Sequence, residues 1–218
     1  MSIQKRLIAC FSPKGGSGKT TTSTQLAISA KLSKETKFKV CFYDLDPQQT
    51  ATYYFNRIDE KYRPDAILHD FNIAPPDDCD FVIIDCEPST RFIPPKNFLI
   101  VAPTLASSLD LHAYRKVLEL EEQGYKVIRV INQYSRVRKD DAEVKEHLDP
   151  CVIISANSGI RVAMNNGKTI WNSNHPGGKR AKHQFTYLVK RIMLGSAETL
   201  TDEDISYIML KGVKKNGN

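Results

Sequence analysis

The stretch "FSPKGGSGKTTT", residues 11–22, is a glycine-rich loop that joins an apolar run to a helix-compatible segment. Its glycines let the backbone turn so that successive N–H groups point inward, and a helix that begins near Lys19 would add its positive end. A loop of this kind accommodates a polyphosphate. Lys19 would then reach the β- and γ-phosphates of a nucleotide, and the Thr20 hydroxyl would bind Mg²⁺.

Two residues of the loop depart from the general phosphate-loop pattern G-x-x-x-x-G-K-[ST]. Pro13 occupies the position of the first glycine, and a second lysine, Lys14, stands five residues before Lys19. Because a loop that cradles phosphates needs one lysine, the general pattern leaves Lys14 without a role.

Short apolar runs with little polar alternation recur before and after the loop, as is typical of strands buried on both faces. The predicted strands are residues 6–11, 39–44, 81–85, 98–102, 126–131 and 151–155. Helix-compatible stretches lie between several of them, at 19–33, 109–123 and 140–148, which is the order of right-handed βαβ units. We therefore predict an α/β fold with a doubly wound, mainly parallel sheet flanked by helices.

The chain of 218 residues contains no repeat or low-complexity stretch, so residues 1–218 are predicted to form a single domain. An additional C-terminal helix is predicted over about 201–211, with Thr201 as its N-cap. In a parallel sheet, ligands bind beyond the carboxyl ends of the strands. We therefore expect the glycine loop to lie beside "YDLD", residues 43–46, and "DCEPS", residues 85–89.

The segment "KGGSGKTT", residues 14–21, resembles the deviant Walker A motif of the ParA/MinD family of ATPases, and the chain resembles short plasmid-type ParA proteins over about residues 5–194. The resemblance implies a P-loop NTPase-like fold that binds ATP and Mg²⁺. In this family the extra lysine crosses a dimer interface and contacts the partner subunit's nucleotide, so Lys14 is expected to act in an ATP sandwich dimer. The alternative is a solvated loop lysine beside an ordinary phosphate loop.

Carboxylates that follow two of the predicted strands match further segments of the family. "YDLDPQQTA", residues 43–51, resembles a segment in which Asp46 would carry the hydrolytic role, while Asp44 would be structural or lie behind the ligands of Mg²⁺. An Asp-Pro turn without a catalytic role is the alternative. "DFVIIDCEPS", residues 80–89, resembles the Walker B strand, in which Asp85 would hold Mg²⁺ through water.

Two further positions bear on the nucleotide site. Asn132 falls where family members read the adenine edge with an asparagine, although a lone Asn after a strand is otherwise a turn residue. Glu87 replaces the small residue or proline of the family, and we expect it to point to solvent rather than to tune metal affinity. The residues assigned by resemblance are Lys14, Lys19 and Asp46 for catalysis, Lys14, Gly15, Gly16, Ser17, Gly18, Lys19, Thr20, Thr21 and Asn132 for nucleotide binding, and Thr20, Asp85 and Asp44 for the metal.

Positive charge is concentrated near one end of the chain, whose formal net charge is +6. Residues 150–197 contain no Asp or Glu, and a cluster of basic residues suits non-specific binding of double-stranded DNA. A solvated basic face without a partner is the alternative. Pro176, Gly177 and Gly178 are predicted to lead into a helix with basic residues toward both ends. The candidate DNA-binding residues are Arg161, Lys179, Arg180, Lys182, Lys190 and Arg191.

Cysteine usage and the N-terminal sequence indicate a cytoplasmic protein. The five cysteines form no C-x-x-C pair and fall mostly in apolar runs, so they are predicted to be reduced core residues. The first apolar run is too short for a signal peptide or a membrane span, and no membrane partner is expected.

The resemblance implies an ATP-dependent DNA segregation ATPase for plasmid or chromosome partition. It would form a homodimer with ATP, bind DNA on the nucleoid, and hydrolyse ATP weakly until stimulated by a centromere-binding partner protein. A ParA-like ATPase that positions another cargo, such as a protein complex or a conjugative relaxosome, is the alternative. A metabolic P-loop enzyme is a third interpretation, and Lys14 argues against it because a simple kinase does not need that residue.

Overall fold

A seven-stranded sheet, parallel throughout, forms the centre of the computed structural model, which describes residues 5–33, 38–88 and 93–194. The strand order is β3-β2-β4-β1-β5-β6-β7, so that β1 lies between the two halves of the sheet. The strands are β1 Arg6–Cys10, β2 Val40–Asp44, β3 Ala66–Leu68, β4 Phe81–Asp85, β5 Leu99–Leu105, β6 Val127–Tyr134 and β7 Cys151–Ser155.

Helices cover both faces of the sheet. The helices are α1 Lys19–Lys31, α2 Thr50–Arg57, α3 Ser108–Glu122, α4 Lys139–Leu148, α5 Ser158–Asn165 and α6 Gly178–Leu194. Helices α1, α2, α5 and α6 contribute to one hydrophobic core, whereas α3 and α4 contribute to the other. The predicted doubly wound α/β fold of P-loop NTPase type is therefore confirmed.

Strand sequences explain why the sheet is buried on both sides. In β1, Ile8 and Cys10 belong to one core and Ala9 belongs to the other, and all three are fully buried. The same alternation holds in β4, where every residue of "FVIID" is buried. Nearly continuous apolar runs are required at the centre of such a sheet, because both faces of each strand exclude water.

Three elements were not predicted. Strand β3 has only three half-buried residues at the edge of the sheet, which is too short for a recognisable pattern. Helix α2 has no hydrogen bond from the side chain of its own N-cap residue. Instead, Asp44 Oδ2 at the end of β2 accepts hydrogen bonds from the Thr52 N–H at 2.8 Å and from the Thr52 hydroxyl at 2.7 Å. Helix α5 begins after Asn157, whose side chain accepts a hydrogen bond from the Gly159 N–H.

The predicted C-terminal helix over 201–211 lies outside the described residues. Within the parts of the chain that the structure describes, no helix is both long and apolar enough to cross a lipid bilayer.

Candidate nucleotide-binding site

The glycine loop lies at the carboxyl end of β1 and leads directly into α1. Strand β1 is flanked by β4 and β5, and the connection between those two strands carries the chain from one half of the sheet to the other. Ligands of open α/β sheets bind at such a switch point. Gly16 and Gly18 adopt left-handed φ angles of 76° and 91°, and Gly18 caps α1 without any side-chain hydrogen bond. The free N–H groups of the helix end are thus left for an anion.

Open space lies above the loop. Gly15 and Gly16 are exposed, and no atom of the described residues stands within 4 Å of a Cβ built on either of them. Ser17 is buried, and its hydroxyl has no hydrogen-bond partner within the described residues. An exposed backbone cradle with one unpartnered hydroxyl fits a polyphosphate, as the sequence predicts.

Lys19 is folded back onto the loop. Its ammonium donates a hydrogen bond to the Lys14 carbonyl at 3.1 Å, and the residue is only 6% exposed. Burial lowers the pKa of Lys19, and the nearby Asp85 carboxylate opposes that shift. The lysine therefore carries its charge in a poorly solvated place, where a phosphate would be a stronger partner than one carbonyl oxygen.

Asp85 is the most deeply buried carboxylate of the site. It is the last residue of β4, it is 0% exposed, and neither carboxylate oxygen has a hydrogen-bond partner of good geometry among the described residues. Burial raises the pKa of Asp85 to about 7, Asp44 raises it further, and the nearby hydroxyls of Thr20 and Ser23 oppose the shift. An unpartnered buried carboxylate beside the Thr20 hydroxyl has the chemistry of a Mg²⁺ site, so the residues present fit the predicted metal.

Asp44 and Asp46 follow β2 and differ in environment. Asp44 pairs in register with Asp85, and its Oδ2 holds α2 through Thr52 while its buried Oδ1 has no partner in the described residues. Asp46 is half-buried in the turn that follows, where its Oδ1 accepts the Gln48 N–H at 2.9 Å. Asp44 thus makes a structural contact with α2, while its place behind the ligands of Mg²⁺ and the hydrolytic role of Asp46 stay predictions.

Lys14 contacts its own chain at the start of α3. Its ammonium forms an ion pair with Asp110 Oδ1 at 2.5 Å, in the first turn of α3. The Lys14 side chain is 40% exposed, whereas that of Asp110 is 6% exposed. Sequence reasoning did not find Asp110, although "SSLD", residues 107–110, has the S-x-x-D spacing of a helix N-terminus, where an acidic residue is favoured.

Asn132 points into the loop. Its side-chain amide donates hydrogen bonds to the Ser17 carbonyl at 2.9 Å and to the Thr22 hydroxyl at 3.1 Å. An irregularity in the β6–β7 pairing between Ile131 and Tyr134 flanks the residue. Since both amide hydrogens are engaged, only the carbonyl oxygen of the side chain is left for an adenine edge. The predicted adenine contact therefore remains a prediction.

The comparisons with known proteins agree with this geometry. Residues 8–169 match the family described as the CobQ/CobB/MinD/ParA nucleotide binding domain, which is more than half of the chain. The chain belongs to this family. The resemblance to ParA/MinD proteins that the phosphate loop indicates is thus confirmed. No curated protein sequence matches the chain.

Solved structures of the family share its fold at low identity. The chain is similar to McdA of Cyanothece, solved as a variant in complex with ATP, with a TM-score of 0.59 and 18% identity over 92% of this chain and 100% of that one. It is also similar to the septum site-determining protein MinD of Pyrococcus horikoshii with Mg-ADP, with a TM-score of 0.64 and 17% identity over 89% and 100%. A putative plasmid partition protein of Borrelia burgdorferi B31 bound to AMPPNP is similar with a TM-score of 0.60 and 16% identity, over 96% of this chain and 100% of that one.

The basic residues of this ParA/MinD-family chain do not form one continuous cluster. Helix α6 begins near Asn157, whose amide donates to the Gly177 carbonyl, and ends near Arg6 at the start of β1, whose guanidinium donates to the Met193 carbonyl. Lys179 and Lys190 are therefore about 16 Å apart along the helix. Arg161, Lys179 and Arg180 are exposed, and Lys182 and Lys190 are half-buried.

Arg191 requires a correction. It is only 6% exposed and is among the buried residues of α6, so its guanidinium is not available to a DNA phosphate in this conformation. The sequence places it beside Lys190 in a basic pair, and the helix period turns the two side chains to different faces.

Glu87 and the cysteines complete the set of predicted residues. Glu87 is half-buried. Four cysteines are buried and Cys151 is half-buried, all five are free, and burial raises the pKa of each thiol. They are core thiols rather than reactive groups, as predicted.

Gly18→Ala is expected to destabilise the protein more than Gly124→Ala. Both glycines have left-handed φ angles, so an added Cβ costs each about 1–2 kcal/mol. A Cβ at Gly124 would meet no described residue within 4 Å apart from its chain neighbours, whereas a Cβ at Gly18 would lie 2.5 Å from Asn132 Nδ2. Urea unfolding should show the larger loss for Gly18→Ala, and the excess should disappear in an Asn132→Ala background. Equal losses for the two glycines would contradict the close contact with Asn132.

Asp85→Asn is expected to stabilise the Mg²⁺-free protein at pH 8. The pKa of Asp85 is about 7 in the folded protein, against an ordinary value of 3.8, so between these pH values the folded state retains a proton that the unfolded state has lost. The contribution of Asp85 to wild-type stability therefore falls as pH rises from about 4 to 7, and the variant lacks this contribution. Its free energy of unfolding should exceed the wild-type value by up to about 4 kcal/mol at pH 8 and by little at pH 4. Urea titrations at both pH values measure this, and an equal difference at both would contradict the burial of an unpaired carboxylate.

Proposed function

We propose that this chain is a ParA-type ATPase that segregates DNA, switching between a monomer and an ATP sandwich dimer. The observation that carries the proposal is the divergence of the two loop lysines. The Lys19 ammonium bonds within the phosphate loop, whereas the Lys14 ammonium pairs with Asp110 in the first turn of α3. A lysine that is not engaged within its own phosphate loop is suited to a nucleotide held by a second subunit.

ATP would bind in the loop through the free N–H groups at the start of α1. Lys19 exchanges the Lys14 carbonyl for the phosphates, and the Ser17 hydroxyl and backbone hold the remaining oxygens. The Thr20 hydroxyl and Asp85, the latter through water, would hold Mg²⁺, which neutralises charge on the phosphates. A divalent cation there would favour the ionised form of Asp85, whose two carboxylate oxygens lack partners among the described residues.

Hydrolysis in this proposal depends on Asp46. The residue sits at the carboxyl end of β2, beside the loop, and its charge is close enough to Lys19 and Asp85 to affect the pKa of both. One of its carboxylate oxygens accepts the Gln48 N–H, which fixes the side chain in the turn. A carboxylate held in this way orients an attacking water. Turnover is weak in the isolated protein, and a centromere-binding partner stimulates it.

DNA binding would use the basic residues at the carboxyl edge of the sheet. Lys179 and Arg180 are exposed in the first turn of α6, and Arg161 is exposed on the neighbouring α5. Each subunit of a dimer presents such a group, so dimerisation doubles the number of cations that one duplex meets. Counterion release from the phosphates then makes binding non-specific and steeply dependent on salt.

A ParA-like ATPase that positions another cargo is the second candidate. Two features favour it: the basic residues of α6 are divided between its two ends, and Arg191 is buried. The basic surface is therefore smaller than the sequence predicts. ATP-dependent DNA binding separates the two candidates, because the second one does not require it.

Lys14→Gln is expected to abolish dimerisation with a slowly hydrolysed ATP analogue while ADP binding is retained. Without the crossing cations, two facing triphosphates are left close together in a poorly solvated site. Sedimentation velocity measures the dimer, and Lys116→Gln on α3, where the half-buried Lys116 pairs with Glu119, is a control with the same change of charge. A Lys14→Gln protein that dimerises as tightly as wild type would contradict the proposed switch.

Replacing both Lys179 and Arg180 with Ala is expected to weaken DNA binding equally for all sequences. If each contacts one phosphate in each subunit, the slope of log K against log salt should fall by about 4 per dimer. The control is Lys116→Ala with Lys145→Ala, which removes the same charge from α3 and α4 on the opposite face. Fluorescence anisotropy with the ATP analogue at several salt concentrations measures the slope. An unchanged slope would exclude the start of α6 from the DNA surface.

A further inference from the structure

The ion pair between Lys14 and Asp110 joins the phosphate loop to the start of α3, and the proposed function gives no role to its carboxylate. The two charged atoms are 2.5 Å apart, and the carboxylate is almost completely buried while the lysine is partly exposed. A buried carboxylate needs a counter-ion, and Lys14 is the only residue with which Asp110 forms an ion pair in the described part of the chain.

Asp110 is held from several sides. The Ser107 hydroxyl donates a hydrogen bond to Asp110 Oδ2, and the Asp110 N–H donates to the Ser107 oxygen at 3.2 Å. The residue lies in the first turn of α3, where the helix end favours a negative charge. Helix α3 is anchored in the core by Tyr114, Val117 and Leu120. Asp110 is therefore the fixed member of the pair, and Lys14, on a flexible stem, is the member that can move.

We propose that Asp110 is a positioning residue that restrains Lys14 in the monomer and so opposes dimerisation until ATP is bound by both subunits. This inference rests on the proposed function, because it takes Lys14 as the residue that crosses the interface. One ammonium cannot lie against Asp110 of its own chain and against the partner's nucleotide at once. Formation of the sandwich must therefore break two Lys14–Asp110 pairs, one in each subunit.

The exchange favours ATP over ADP. A triphosphate offers Lys14 more negative charge than the single carboxylate it leaves, so the exchange is favourable. A diphosphate lacks the terminal group and compensates the broken pair less well. Asp110 keeps its Ser107 hydrogen bond and its place at the end of α3 after Lys14 has left, which makes the exchange reversible. The pair thus sets how much phosphate charge is required before two subunits associate.

Asp110 also lies next to a surface suited to contact with a second subunit. Leu109, its neighbour in the first turn of α3, is 76% exposed although it is apolar. An apolar side chain beside the departing lysine would be covered on dimerisation. Asp110 thus lies beside the proposed dimer interface. This position agrees with a role in association rather than in the stability of the monomer alone.

The test is Asp110→Asn, which keeps the shape of the side chain and removes its charge. The dissociation constant of the dimer with the ATP analogue is expected to fall by roughly 2- to 30-fold, since two partly exposed pairs no longer have to be broken. Asp141→Asn is the matched control, because Asp141 is a buried carboxylate in the first turn of α4 that pairs with Arg138. It should lower the melting temperature and leave the dimer constant unchanged.

A second measurement reports on the monomer. In nucleotide-free protein, the rate at which an amine-specific reagent modifies Lys14, followed by mass spectrometry relative to Lys116, should rise several-fold in Asp110→Asn. This readout does not depend on dimerisation, so it separates the ion pair from its consequence.

The outcomes distinguish the inference from the proposed function. The proposed switch and the restraint by Asp110 are both supported if wild type dimerises with the analogue and Asp110→Asn dimerises more tightly, with faster modification of Lys14. Wild type that dimerises while Asp110→Asn dimerises equally or more weakly overturns the restraint and leaves the switch intact. Wild type that stays monomeric at all concentrations of the analogue overturns the proposed dimer, and the restraint with it.

Discussion

Two buried ionisable groups, one in the loop that follows β1 and one at the end of β4, are the constraint on which the site depends. Lys19 and Asp85 are 6% and 0% exposed, and burial shifts the pKa of each toward its neutral form. Neither has a partner that compensates it fully, because Lys19 contacts one carbonyl and both oxygens of Asp85 lack hydrogen bonds among the described residues. The ligand-free protein therefore carries a destabilising arrangement that a phosphate and a divalent cation relieve together. Ligand binding is then also a stabilisation of the fold.

The parallel sheet was predictable because its strands are apolar on both faces. All six predicted strands are present, and so are helices close to the three predicted stretches. What the sequence did not reveal depends on tertiary contacts. Near the start of helix α2, the Thr52 N–H donates to Asp44, which is six residues before the first residue of the helix and belongs to a strand. No local capping signal could have indicated that helix, and the half-buried edge strand β3 has too few residues for a period to be read.

For the candidate site, the sequence predicted which segments meet but not how their side chains pair. The glycine loop, Asp44 and Asp85 converge at one edge because parallel strands end together, which is a consequence of the fold alone. The partner of Lys14 could not be inferred in the same way, since Asp110 is 96 residues away in the chain and lies on a different helix. The burial of Arg191 was hidden for a similar reason. Charge counted along the sequence does not show which face of a helix packs on the sheet.

Lysine, rather than arginine, suits position 14 if that residue has to exchange partners. Its ammonium is a compact charge on a flexible four-carbon stem, and it can pair with a carboxylate in one state and with phosphates in another without a fixed approach. A guanidinium would hold Asp110 through two parallel hydrogen bonds, and that geometry is harder to leave. The carboxylate, in contrast, is fixed by Ser107 and by the first turn of α3. The fixed carboxylate of Asp110 determines how strongly the ion pair holds Lys14. The negative charge of the partner's nucleotide determines whether Lys14 leaves.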